Sequence, residues 1–205
     1  MKQRQGKQWG SKVLFSTGIQ IPVLLSMHSE QENLRHERET RWAEIAREVD
    51  ELADKLGHPI DAGIRDAVIG LLAHELPTNQ SCEGHDDRGE ALPWVSIESS
   101  EPEGWEDNKQ LKEEWRNANK QLATKVRALL EGWYEHRQAD QDVIPDDQKL
   151  ILEPQGIFGA FRIQPAAQER MTKLSQSERA QQALVYREEM RKFSTFLQEH
   201  FLTGA

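Results

Sequence analysis

The sequence predicts an α+β fold: about four helices packed on a small antiparallel sheet of about three strands. Three observations carry that expectation. Four segments repeat apolar residues at alternating steps of three and four, the period of one face of a helix. Three short runs are rich in β-branched and aromatic residues and are bounded by Pro, Gly or Asp. Helices and strands are grouped along the chain rather than alternating, which argues against a parallel βαβ sheet.

The first helix is expected from about residue 30 to Gly57, because Trp42, Ile45, Val49, Leu52 and Leu56 form one stripe and Gly57 offers a C-terminal stop. A second follows from about 61 to 76, carrying Ile64, Val68, Leu71, Leu72 and Leu76, with Asp61 able to cap its start and Pro77 ending it. The loop PTNQSCEGHDDRGEAL comes next, then PWVSIE, where Trp94, Val95 and Ile97 suit a short strand and Pro93 only its first position. SSEPEGWEDN reads as a polar linker. Beyond it Leu111, Trp115, Ala118, Leu122, Val126, Leu129, Trp133 and His136 mark a long helix over about 106–137. KLILEP and GIFGAFRIQP make a β-hairpin around Pro154, Gln155 and Gly156, with Leu150, Leu152, Phe158 and Ile163 on its buried side. Ser175 and Glu178 form a capping box for a last helix over about 176–202, with Ala180, Leu184, Phe193, Leu197 and Phe201 on its apolar face.

Composition narrows the function. The 205 residues include 35 acidic and 26 basic side chains, a formal charge of −9, so no affinity for nucleic acid or for anionic lipid is expected. With 37% hydrophobic residues arranged periodically, the chain is a folded polar protein rather than a disordered one. A single cysteine forms no internal disulfide and calls for no oxidising compartment.

The N-terminus imitates a secretory signal, with basic MKQRQGKQWGSK before apolar VLFSTGIQIPVLLSM. Ser16, Thr17, Gly18, Gln20 and Pro22 interrupt the apolar run, no small-x-small site follows, and the stretch is too short to span a bilayer as a helix. The expectation is therefore a cytoplasmic protein with no membrane association. Residues 1–28 are read as a strand-like or loosely docked arm, or as an upstream extension before an internal start at Met27, and residues 29–205 as one domain.

The candidate site is the loop between the second helix and the strand. Within SCEGHDDRG stand Cys82, Glu83, His85, Asp86, Asp87 and Arg88, and Gly84 permits a backbone that turns Cys82 and His85 towards one point. Four readings are open. Cys82 can be a nucleophile with His85 as base or counter-charge and Glu83 beside it. Cys82 and His85 can ligate a metal, completed by Glu83, Asp86 or His74, although no second Cys or His pair completes a zinc motif. Ser81, Glu83, His85, Asp86 and Arg88 can hydrogen-bond a small polar ligand that stacks on Trp94. Cys82 can also be a buried small apolar residue with its polar neighbours simply solvated. Which cofactor, if any, the loop serves is not set by the sequence.

The arrangement helix, PT, SCEGH, short strand resembles uncharacterised bacterial proteins that carry the same Ser-Cys-Glu-Gly-His string. More remotely it is similar to the Thr-x-Ser-Cys-Ser-Gly-Arg turn of the tRNA wybutosine-synthesis methyltransferase family, over about residues 60–98. Thr78, Ser81, Cys82 and Gly84 match that turn; Glu83 and His85 replace its serine and arginine, and Asn79-Gln80 lengthens the spacing. The resemblance implies a site in the loop. The missing basic residue and the charge of −9 speak against a tRNA substrate.

Elsewhere, Arg162 projects from an apolar strand and would face the loop as an anion partner if the hairpin pairs with PWVSIE. His36, His58 and His136 are read as solvated, and Trp42, Trp115 and Trp133 as core. GxGxxG, P-loop, HExxH and GxSxG patterns are absent. An alternative reading makes the protein a helical interaction module, a homodimer through the long helices, with a purely structural loop.

Overall fold

The computed structural model describes residues 21–53, 57–85, 90–139 and 142–204, with side chains from residue 30 onward. The fold is α+β, with five helices and a four-stranded antiparallel sheet among the described residues. In chain order these are α1 (Ile21–Asp50), α2 (Ala62–Ala73), β1 (Thr78–Cys82), β2 (Trp94–Ile97), α3 (Lys109–Ala139), β3 (Leu150–Gln155), β4 (Ala160–Pro165), α4 (Gln168–Thr172) and α5 (Gln176–Thr203). A single 3₁₀ turn, Asp146–Gln148, precedes β3. The strands lie in the order β1-β2-β4-β3. No described helix is long and apolar enough to cross a membrane.

The helix stripes explain the core. Ile45 and Val49 of α1, Ile64, Val68 and Leu71 of α2, and Phe193 and Leu197 of α5 are buried together against Val95, Ile97 and Ile163 of the sheet. Gly70 allows the closest approach: a Cβ there would meet the Leu197 side chain at 2.9 Å, so α2 and α5 touch almost backbone to side chain.

Several boundaries differ from expectation for identifiable reasons. Helix α1 already runs from Ile21, across residues expected to be an arm, and it ends at Asp50 rather than Gly57. Past Asp50 the chain reverses through Gly57 (φ +83°) into an isolated bridge between Ala53 and Pro59, which leaves Leu52 exposed; Leu56 lies outside the described residues. TNQSC, expected as loop, is the fourth strand. It lacks an apolar alternation because it is an edge strand, held by pairing with β2 from Thr78↔Ile97 to Cys82↔Trp94. The hairpin turns at residues 156–159, so Pro154 sits inside β3, an edge strand that tolerates a missing donor.

On α3 the buried stripe runs through Trp115, Asn119, Ala123, Val126, Leu130, Trp133 and Arg137. Ala118, Leu122 and Leu129 are thereby only half-buried and His136 exposed, because two polar residues claim core positions through specific partners. Asn119 donates to the Phe158 carbonyl at 2.9 Å and accepts the Ser99 N–H at 2.7 Å. Arg137 reaches Glu189 of α5 at 2.5 Å and also pairs with Asp142. On α5 the face is Ala183, Tyr186, Met190, Phe193 and Leu197, which turns Leu184 outward.

Arg137 and Glu189 are 8% and 3% exposed, and Arg137, also held by Asp142, is the counter-charge bonded to the buried Glu189 carboxylate. Arg137→Met is expected to cost about 3–5 kcal/mol in denaturant unfolding, because it strands a buried carboxylate. The double replacement Arg137→Met/Glu189→Leu is expected to recover most of that loss.

Candidate functional site

Three short segments build the site: the residue before α2, the end of β1, and the loop that follows it. The loop path is set by Gly84, whose φ of +84° is the left-handed region, and where a Cβ would meet the Ala91 carbonyl oxygen at 2.6 Å. Arg187 of α5 grips the loop from behind. Its Nε–H donates to the Glu83 carbonyl at 3.1 Å and a second guanidinium N–H donates to the Gly84 carbonyl. The His85 N–H donates to the Glu90 carbonyl at 2.8 Å, closing the loop on itself.

The two carboxylates exchange the roles that their positions suggest. Asp61 is the N-cap residue of α2, yet it makes no side-chain capping bond. The cap comes from Glu83, whose Oε2 accepts the Gly63 N–H at 2.8 Å. Asp61 turns to the loop instead: its Oδ2 accepts the Glu83 N–H at 3.3 Å and lies 3.3 Å from His85 Nε2.

Cys82 completes the group. One donor atom each from Asp61, Cys82 and His85 lies within 4.8 Å of the others, and all three side chains are half-buried. The Cys82 sulfur accepts the Gly84 N–H at 3.4 Å. Burial pushes the Cys82 thiol above its ordinary value; the Gly84 N–H opposes this, while the charges of Asp61, Glu90 and Glu83 add to it. The local field therefore favours a thiol over a thiolate, which weighs against an activated nucleophile.

Asp61 also forms part of a cleft of about 570 Å³ between the chain reversal and the outer edge of β1. His58, Pro59, Ile60 and Asp61 line one side, and Thr78, Asn79, Gln80 and Ser81 the other. Val68 and Trp94 supply buried apolar lining.

The expected site residues divide accordingly. Cys82 and His85 converge as expected, and Ser81 lines the cleft beside them. Glu83 is at the centre of the loop but spends its carboxylate on α2. Trp94 is buried at the cleft, and Arg162 covers one face of its ring, with the guanidinium carbon 3.8 Å from the centroid. The hairpin does pair with β2, Arg162 standing opposite Ser96, and its anion is Glu90, at 2.9 and 3.1 Å. Asp86 and Arg88 lie outside the described residues. His74 stands away from the group: its Nε2–H donates to the Leu197 carbonyl at 3.0 Å and its ring packs on Phe201. Asp61, Arg187 and Glu90 were not legible as site residues; Asp61 reads in sequence as an ordinary cap, and Arg187 is over a hundred residues from the loop it holds.

Compared with protein families, curated proteins and solved structures, the chain matches none.

Two measurements check this geometry. Alkylation of Cys82 in metal-free protein at neutral pH is expected to be slower than that of a free cysteine. Asp61→Asn or Glu90→Gln should accelerate it by lowering the thiol pKa; unchanged rates in both would contradict the electrostatic account. Burial and then the nearby His200 charge act to lower the His74 pKa, against the Leu197 bond. A depressed folded-state pKa leaves stability intact above the ordinary value of about 6.5 and erodes it as pH falls below that value. The loss in unfolding free energy between about pH 7 and about pH 5 should shrink in His74→Gln.

Proposed function

We propose that the chain binds a small polar ligand in the cleft beside β1, with Asp61, Cys82 and His85 as the contacting or reacting group at the cleft edge. The observation that carries this reading is the place of Asp61: it lines a cleft of about 570 Å³ and stands in one cluster with the Cys82 thiol and the His85 imidazole. Its size falls in the usual range for small-molecule sites, roughly 300–1,000 Å³. Thr78, Asn79, Gln80 and Ser81 offer hydrogen bonds along one side, and Trp94 with Val68 an apolar wall. The bracing by Arg187 and Glu83 supports a preorganised site rather than a casual turn.

The test is a screen of small polar metabolites followed by amide chemical shifts. Ligands that bind are expected to shift Ile60, Asp61 and Asn79–Cys82 first. Ser81→Leu, which fills the cleft, should weaken binding roughly tenfold or more, about 1.4 kcal/mol. Shifts confined to other surfaces, or binding indifferent to Ser81→Leu, would overturn the reading.

A second reading rests on a different surface. Val143, Leu184 and Val185 are exposed and line one groove between α5 and the segment after α3. Apolar groups gathered in this way favour self-association, a homodimer through helices. Sedimentation should then show a dimer that Leu184→Glu dissociates; a chain monomeric well above micromolar concentration removes this reading.

A further inference from the structure

The geometry points to a zinc site in which Asp61, Cys82 and His85 supply three protein ligands and leave a fourth position open. The inference deepens the cleft reading, resting on it only for the direction in which the open position faces.

Donor chemistry carries the assignment. A thiolate sulfur and an imidazole nitrogen are soft and borderline ligands that suit zinc and not magnesium or calcium, and one carboxylate oxygen completes a common zinc set. One atom from each residue already lies within 4.8 Å of the other two. Zinc needs bonds of about 2.0–2.3 Å to such atoms, which sets ligand atoms roughly 3.3–3.7 Å apart; the Asp61–His85 edge, at 3.3 Å, already fits, and the edges to the Cys82 sulfur need close by no more than about an ångström. The three residues come from two places over twenty positions apart, the start of α2 and the end of β1, which is why no sequence motif announces them.

The surroundings supply what metal ligands require. Asp61 is held by the Glu83 N–H and Cys82 by the Gly84 N–H, so two of the ligands are oriented by backbone partners, and the His85 backbone is fixed by the Glu90 carbonyl. Glu83 relieves Asp61 of capping α2 and leaves its carboxylate available. The charges also balance: binding releases the thiol proton to solvent, and a thiolate and a carboxylate then neutralise the ion, with imidazole neutral. Asp61, Glu83 and Glu90 gather negative charge around the sulfur, a favourable field for a divalent cation. Three protein ligands with an open fourth place are the pattern of catalytic rather than structural zinc, and Asp61 is the ligand that also lines the cleft.

The experiment uses the full chain. Metal-free protein is titrated with Co²⁺ as a spectroscopic substitute and with Zn²⁺ in competition, and bound metal is counted by elemental analysis. One ion per chain is expected, with a thiolate-to-cobalt charge-transfer band in the near ultraviolet that Zn²⁺ abolishes and Mg²⁺ does not. Cys82→Ser should lose the band, and Asp61→Asn and His85→Ala should each weaken Co²⁺ binding at least tenfold. The wild-type spectrum stands even if a variant fails to fold. Absence of the band in wild type, or metal stoichiometry unchanged in all three folded variants, overturns the site. If the cobalt band is absent while metabolites still shift Asn79–Cys82, the zinc site falls and the cleft reading stands.

Discussion

The arrangement of the candidate site depends on one hydrogen bond, from the Gly63 N–H to the Glu83 carboxylate. A helix start leaves unpaired N–H groups that the nearest side chain normally satisfies, and here that side chain would be Asp61. Because Glu83 reaches across from the loop to do it, α2 and the loop become one unit and Asp61 is freed to face Cys82 and His85. Arg187 fixes the same loop from α5, so the two helices that pack most tightly, at Gly70 and Leu197, also position the site. Core packing and site geometry are therefore coupled through short, rigid paths.

That coupling has an electrostatic consequence. Asp61, Glu83 and Glu90 place negative charge around a half-buried sulfur, and the Gly84 N–H opposes them by favouring the thiolate. A cysteine set for nucleophilic attack is usually surrounded by positive charge. Among the described residues, the cationic side chains nearby are spent elsewhere: Arg162 on Glu90 and the Trp94 ring, Arg187 on backbone carbonyls. A carboxylate, an imidazole and a thiol in such a field suit a cation better than an anionic intermediate.

Periodicity made the helices and the hairpin legible, since Ile45, Val49, Ile64, Val68, Phe193 and Leu197 are where their spacing puts them. It misplaced the stripe of α3 by one residue at several turns, because Asn119 and Arg137 are buried by specific bonds that a hydrophobic count does not register. It missed β1 because TNQSC is polar on both faces and owes its conformation to pairing with β2. Within the site, Cys82 and His85 were visible through Gly84 and their short spacing. Asp61 was visible only as a cap, and the exchange with Glu83 is a tertiary event with no local signature.

The exchange of carboxylates is the central claim, and paired unfolding measurements on Glu83→Ala and Asp61→Ala test it most directly. If Glu83 caps α2, its removal should cost about 1 kcal/mol, in the range of a lost helix cap, and Asp61→Ala should cost clearly less. A cap-sized loss on Asp61→Ala, with Glu83→Ala silent, would return Asp61 to the helix and contradict the account.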